Sequence, residues 1–166
     1  MRPDGLYAGA HNAHLMSVAG KGRRVIFIGA SMAGKTTLTQ AMMREELRYR
    51  KTQTLDIVGG FIIDTPGEYL ERGGLRGALS VASAEAGLIV FLQSAAAVQS
   101  FFPPAFASMF GKPVAGVVTK ADIASPEEIE EAKRRLARAG VKRVFVTSAY
   151  TGEGIQEFID FIDSLD

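Results

Sequence analysis

The stretch from Val25 to Thr37, VIFIGASMAGKTT, constrains this chain more than any other. It reads as a short apolar strand, a glycine turn and the start of a helix. Gly29, Gly34, Lys35 and Thr36 fit G-x-x-x-x-G-K-[ST], the phosphate-binding loop. The spacing has a geometric cause. A loop that curls around a diphosphate must turn several backbone N–H groups inward, so side chains must stay clear of its path. Gly29 and Gly34 meet that need. The helix that follows adds unpaired N–H groups and the positive end of its dipole, so Ser31, Met32, Ala33, Gly34, Lys35, Thr36 and Thr37 form the expected cradle. Lys35 is placed to reach the β- and γ-phosphates and Thr36 to offer a hydroxyl to Mg²⁺.

The other apolar runs extend this unit into a fold. Residues 86–93 and 113–119 are continuous apolar segments, the signature of strands covered on both faces. Val141 to Thr147 is a third. Ile57, Val58, Phe61, Ile62 and Ile63 flank Gly59-Gly60, a hairpin signal whose second arm ends in Asp64-Thr65-Pro66-Gly67. Helices are expected over 36–46, from Pro104 onward, from the Ser125-Pro126-Glu127-Glu128 capping box to Ala139, and over 154–165. Residues 47–55 lack a period and read as a loop. Strands alternating with helices give an α/β fold: a three-layer, mostly parallel sheet with one antiparallel edge strand. At 166 residues the chain supports one such domain, residues 23–166, behind a loose tail, residues 1–22. Met16 is a second candidate start. His11 and His14 in that tail read as solvated rather than metal-bound.

Bulk properties exclude several classes. A net charge of +1 offers no electrostatic footprint for nucleic acid. No apolar run approaches the roughly 20 residues of a membrane span. With no cysteine, thiolate metal sites and disulfides are absent, in keeping with a cytoplasmic protein.

In such folds ligands lie beyond the carboxyl ends of the strands. Four polar motifs fall there. Gly29–Thr36 follows the first strand, Asp64-Thr65-Pro66-Gly67 the hairpin arm, Thr119-Lys120-Ala121-Asp122 the 113–119 strand, and Ser148-Ala149 the last. Asp64 can hold Mg²⁺, through water, with Thr36 as direct ligand. The N–H of Gly67 can meet a γ-phosphate. Thr52 can give a hydroxyl to Mg²⁺ and a carbonyl to the nucleophile, which with Lys35 makes the catalytic pair; Thr54 is the competing candidate. Asp122 selects the base. A carboxylate only accepts hydrogen bonds, guanine offers paired N–H donors on its N1/N2 edge, and adenine presents an acceptor at N1. Lys120 can lay its stem along the base. Ala149 can donate its N–H to the guanine O6.

GASMAGKT, DTPG, TKAD and SA, in this order, resemble the small GTPase domains of the translation-factor-related P-loop class. RYRKTQT, IIDTPGEY and FFPPAFASMFGKPVAGVVTKAD are similar to the EutP/PduV family of ethanolamine- and propanediol-utilisation proteins. That resemblance covers essentially the whole domain. It implies a Ras-like P-loop NTPase fold, GTP or GDP with Mg²⁺ as ligands, and association with bacterial microcompartments, whose shell or pathway proteins would be partners. The chain departs from the wider class at two positions. Glu68 stands where many GTPases carry a water-orienting glutamine, and Thr119 stands where asparagine is commoner. Three functions follow as expectations: a guanine-nucleotide switch with slow hydrolysis, on a scale of roughly 10⁻⁴ per second; a phosphoryl-transfer enzyme of the acetate-kinase type; or a docking module stabilised by nucleotide. Arg48, Arg50, Arg72 and Arg76 are candidate arginine fingers or, more simply, solvated charges.

Overall fold

Alternation along the strands sets the architecture. In β1 (Val25–Gly29), Val25 and Phe27 face one side, and Ile26 and Ile28 the other. In β3 (Leu88–Ser94), Leu88, Val90 and Leu92 share the first side, and Ile89 and Phe91 the second. All of these side chains are buried. A strand apolar on both sides must be central, with a helical layer over each face. The computed structural model, which describes residues 24–49, 62–64, 71, 77, 79 and 83–165, has this form.

Five strands run in the order β2–β1–β3–β4–β5, with β2 at Ile62–Asp64, β4 at Val114–Thr119 and β5 at Val144–Val146. Every pairing among them is parallel. The antiparallel edge strand expected before Gly59 falls outside the described residues. Parallel pairing brings every carboxyl end to one edge of the sheet.

The first face is covered by α1 (Lys35–Tyr49) and α3 (Ile155–Ser164). Leu38, Ala41 and Met42 of α1 and Ile155, Phe158, Ile159 and Ile162 of α3 pack with Phe27 and Phe145. Each of the larger side chains contributes roughly 1.5–3 kcal/mol on burial. The expected helix over 36–46 thus runs three residues further, through Leu47, Arg48 and Tyr49, which had read as loop. These three have adequate helix propensity, and a helix already nucleated extends at one hydrogen bond per residue.

The second face is covered by α2 (Pro126–Arg138), which opens on the expected capping box. The Ser125 hydroxyl accepts from the N–H of Glu128 at 3.1 Å, and the Glu128 carboxylate accepts from the N–H of Ser125 at 2.8 Å. The helix closes at Gly140, where the N–H of Val141 reaches back to the carbonyl of Leu136.

One expected helix is absent. The segment after Pro104 forms only a 3₁₀ turn, Phe106–Met109, preceded by Ala105 in the left-handed region at φ 58°. Two long-range bonds hold it so. The N–H of Ala105 donates to the carbonyl of Arg138 and that of Ala107 to Ala139, both at the end of α2. The phenylalanines around it gather on Phe91, with Phe102 stacked at 4.6 Å, Phe106 tilted at 5.4 Å and Phe110 edge-on at 5.8 Å. Aromatic packing and borrowed backbone partners outcompete a helix that two prolines would have to start.

Candidate functional site

The described strand ends carry the phosphate loop, Asp64, the Thr119–Asp122 turn and Ser148-Ala149 to one rim; residues 65–67 lie outside the described residues. The loop after β1 closes tightly on itself. A Cβ at Gly29 would lie 3.0 Å from Ala33 and 3.1 Å from Leu92, so a side chain there would push the loop open. Gly34 sits at φ +96° and Met32 at φ 69°, two left-handed positions that turn the loop into α1. Lys35 folds back over the turn. Its Nζ donates to the carbonyls of Gly29 at 2.8 Å and Ala30 at 3.3 Å. Ser31, Thr36 and Thr37 are exposed, and Ala33 is buried beneath them.

The base motif is tied to this loop at two points. Thr119 Oγ1 donates to the carbonyl of Ala33 at 2.6 Å, and Lys120 Nζ donates to that of Met32 at 2.7 Å. The threonine that replaces the commoner asparagine therefore still anchors the phosphate loop to β4. Lys120 has φ 62°, which starts a 3₁₀ turn over Ala121–Ile123 and turns Asp122 outward. Ser148 Oγ donates to Asp122 Oδ1 at 2.8 Å and accepts from the N–H of Thr151. Ser148 is wholly buried, so it fixes one carboxylate oxygen from below. The Ala149 carbonyl is held by Arg44 Nη2 of α1 at 2.9 Å, which sets the orientation of that loop.

Between these groups lies a cavity of about 160 Å³, walled by Gly34, Thr37, Thr119, Lys120, Asp122 and Ala149. Ile123 and Tyr150 stand exposed at its mouth. A larger cavity, about 340 Å³, lies on the other side of Lys120 and Met32, against Ala30–Ala33 and the segment after β3. Its wall includes Gln93, a buried side chain whose Nε2 donates to the carbonyls of Ser94 and Gln99. Arg135 of α2 holds the segment after β3 in place by donating to the carbonyls of Ala97 and Val98. Sequence reasoning missed this second cavity and Gln93. A glutamine closing an apolar strand gives no periodic signal.

Asp64 ends β2, with its Cα in register with Phe27, two residues before the loop. The carboxyl end of β2 therefore falls on the same rim as the loop after β1. The residues present suit a Mg²⁺–phosphate group: a tight glycine turn, an ammonium folded over it, an exposed threonine at the head of α1, and an acidic residue on the adjacent strand. Thr52, Thr54, Gly67, Glu68, His11, His14, Arg50, Arg72 and Arg76 lie outside the described residues. No group of three or more metal-binding side chains occurs among those described.

A five-stranded parallel sheet with a phosphate loop at its first strand end and a TKAD turn at its fourth defines a Ras-like P-loop NTPase fold. Solved structures agree on the fold. The chain superposes on translation elongation factor SelB from Methanococcus maripaludis, in complex with the GTP analogue GppNHp, with a TM-score of 0.59 at 20% identity. That match covers 85% of this chain and 33% of the elongation factor, so the chain spans about a third of that protein's length. It superposes on the FeoB G-domain from Methanococcus jannaschii with a TM-score of 0.58 at 21% identity, covering 86% of this chain and 98% of that one. The particular family is narrower. The chain belongs to the PduV-EutP family, ethanolamine utilisation–propanediol utilisation, whose model matches residues 22–164. It is 43% identical over 142 residues to propanediol utilization protein PduV of Citrobacter freundii, covering 86% of this chain and 94% of that protein. It is 26% identical over 144 residues to the probable acetate kinase EutP of Escherichia coli K12, covering 86% and 91%. No described helix is long and apolar enough to cross a membrane.

Proposed function

We propose that this protein binds guanine nucleotides and hydrolyses GTP slowly, with Mg²⁺, in ethanolamine or propanediol utilisation. The observation that carries the reading is the Asp122 carboxylate, held through one oxygen by buried Ser148, on a cavity whose opposite wall is the phosphate loop. A carboxylate so held has acceptor capacity left for the N1/N2 donors of guanine and nothing to offer adenine N1. The cavity's continuity with Gly34 and Thr37 lets one ligand span base and phosphate sites.

In this reading Lys35 moves from the loop carbonyls to the phosphates. The N–H groups of Ser31 to Thr37 receive phosphate oxygens, and Gly67 meets the terminal one. Thr36, Thr52 and, through water, Asp64 would hold Mg²⁺. When bound, Mg²⁺ neutralises charge on the phosphate oxygens. Thr52 orients the attacking water through its carbonyl. Lacking a glutamine at position 68, the chain turns over slowly without an activator. Partners among microcompartment shell or pathway proteins would read the nucleotide state from the rim.

Calorimetric titration with GDP, GTP, ADP and ATP in Mg²⁺ tests this directly. Guanine nucleotides are expected to bind tightest. Asp122→Ala is expected to cost roughly 100-fold for GDP, about two charge-assisted hydrogen bonds, and to leave ADP unchanged. A preference for adenine nucleotides in the parent chain would overturn the reading.

A second reading, phosphoryl transfer to a small carboxylate, draws support from the 340 Å³ cavity against the outer side of the phosphate loop. An acceptor seated there would approach the terminal phosphate from the side away from the base. The name of the Escherichia coli relative, probable acetate kinase, fits such an acceptor. Acetate and a Mg²⁺-nucleoside triphosphate would then yield acetyl phosphate and the nucleoside diphosphate. Phosphate release with no acetyl phosphate would exclude it.

A further inference from the structure

The N–H of Ser31, inside the phosphate loop, donates to Oε2 of Glu71 at 2.6 Å. Glu71 lies forty positions downstream and is half-buried. A carboxylate oxygen on a phosphate-loop amide is a chemical stand-in for a phosphate oxygen: an anionic acceptor on the same donor. A carboxylate acceptor makes such a bond charge-assisted, roughly twice as strong as one between neutral groups.

Its position along the loop matters. The carbonyls of Gly29 and Ala30, immediately before Ser31, hold the Lys35 ammonium at 2.8 and 3.3 Å. In a loop of this motif that ammonium serves the β- and γ-phosphates. The N–H groups at the head of α1, from Gly34 on, serve the inner phosphates. Glu71 therefore stands at the outer end of the cradle.

We infer that Glu71 sets the preference between nucleoside di- and triphosphates. Its carboxylate holds the terminal-phosphate end of the loop, so a triphosphate must displace it, whereas a diphosphate leaves it in place. The inference rests on the nucleotide reading above and deepens it. The two anions cannot share one N–H, and at contact distance they repel. A contact populated in nine molecules of ten lowers apparent triphosphate affinity about tenfold, because only the remaining tenth is competent to bind. Any partner that draws Glu71 off the loop would then load triphosphate without touching the base cavity.

The test uses the full chain, Glu71→Ala and Glu71→Gln, titrated with GDP and a non-hydrolysable GTP analogue in Mg²⁺, with melting curves to verify the fold. Glu71→Ala is expected to bind the analogue about tenfold more tightly and GDP within about twofold of the parent. Glu71→Gln should bind the analogue with an affinity between the two, since the amide oxygen accepts more weakly than a carboxylate. Equal changes for both nucleotides, or an unchanged ratio, would overturn the role of Glu71 while leaving nucleotide binding intact. A parent chain that binds neither nucleotide would overturn both.

Discussion

A Lys35→Ala chain is expected to lose about 100-fold in affinity for Mg²⁺-GDP, and more for GTP, while still melting close to the parent. The side chain does two jobs at one place. Without ligand, its ammonium satisfies the carbonyls of Gly29 and Ala30 and keeps the turn closed. With ligand, in the proposed function, it supplies the one cationic side chain committed to the phosphates. Two charge-assisted hydrogen bonds at about 1.5 kcal/mol each amount to roughly 3 kcal/mol, or some two orders of magnitude in binding. Stability should fall only modestly, because both bonds are part-buried rather than buried and water can reach the carbonyls the ammonium leaves. Titration of the variant beside a circular-dichroism melt separates the two effects. Unchanged affinity in a folded variant would remove the phosphate assignment from the loop, and with it the catalytic role of Lys35.

Much of this rim was legible from residues alone, for a physical reason. Central parallel strands are apolar on both faces, so runs such as Leu88–Leu92 announce themselves, and polar motifs directly after them must fall at carboxyl ends. The helix expected over 36–46 forms, and its Leu38, Ala41 and Met42 are buried at helical spacing. The Ser125 capping box is local chemistry and forms as read. What escaped was set by partners distant in sequence. Ala105 adopts a left-handed turn because Arg138 and Ala139 offer carbonyls to its segment, and no pattern around Pro104 encodes that. Thr119 read as a weakened base motif, yet its hydroxyl ties β4 to Ala33, a bond across 86 positions. Glu68 is the acidic residue that the motif sets near the terminal phosphate, and it lies outside the described residues; among those described, Glu71 places a carboxylate on the loop. Motif offsets point to position 68 and carry no information about position 71.

The largest stability effect should come from Gly154→Ala, a substitution of one methyl group. Gly154 precedes α3 at φ 73°, with its carbonyl accepting from the N–H of Phe158. A Cβ there would lie 2.0 Å from the carbonyl oxygen of Val146 and 3.1 Å from its carbon. Both obstacles are backbone, so no rotamer change relieves the overlap. The left-handed conformation costs an alanine roughly 1–2 kcal/mol, and the backbone shift needed to clear Val146 adds about 1–3 kcal/mol. A total near 3 kcal/mol lowers the melting temperature of a domain this size by roughly 10 °C. The damage also reaches the site, since Glu153 accepts from the N–H of Ser148 and Ser148 holds Asp122. Guanine affinity should therefore fall even below the melting transition. Gly111→Ala is the control, because nothing lies within 4 Å of a Cβ at that position. It should melt with the parent. If the two variants melt together, α3 does not approach β5 as closely as described, and the support beneath Asp122 must come from elsewhere.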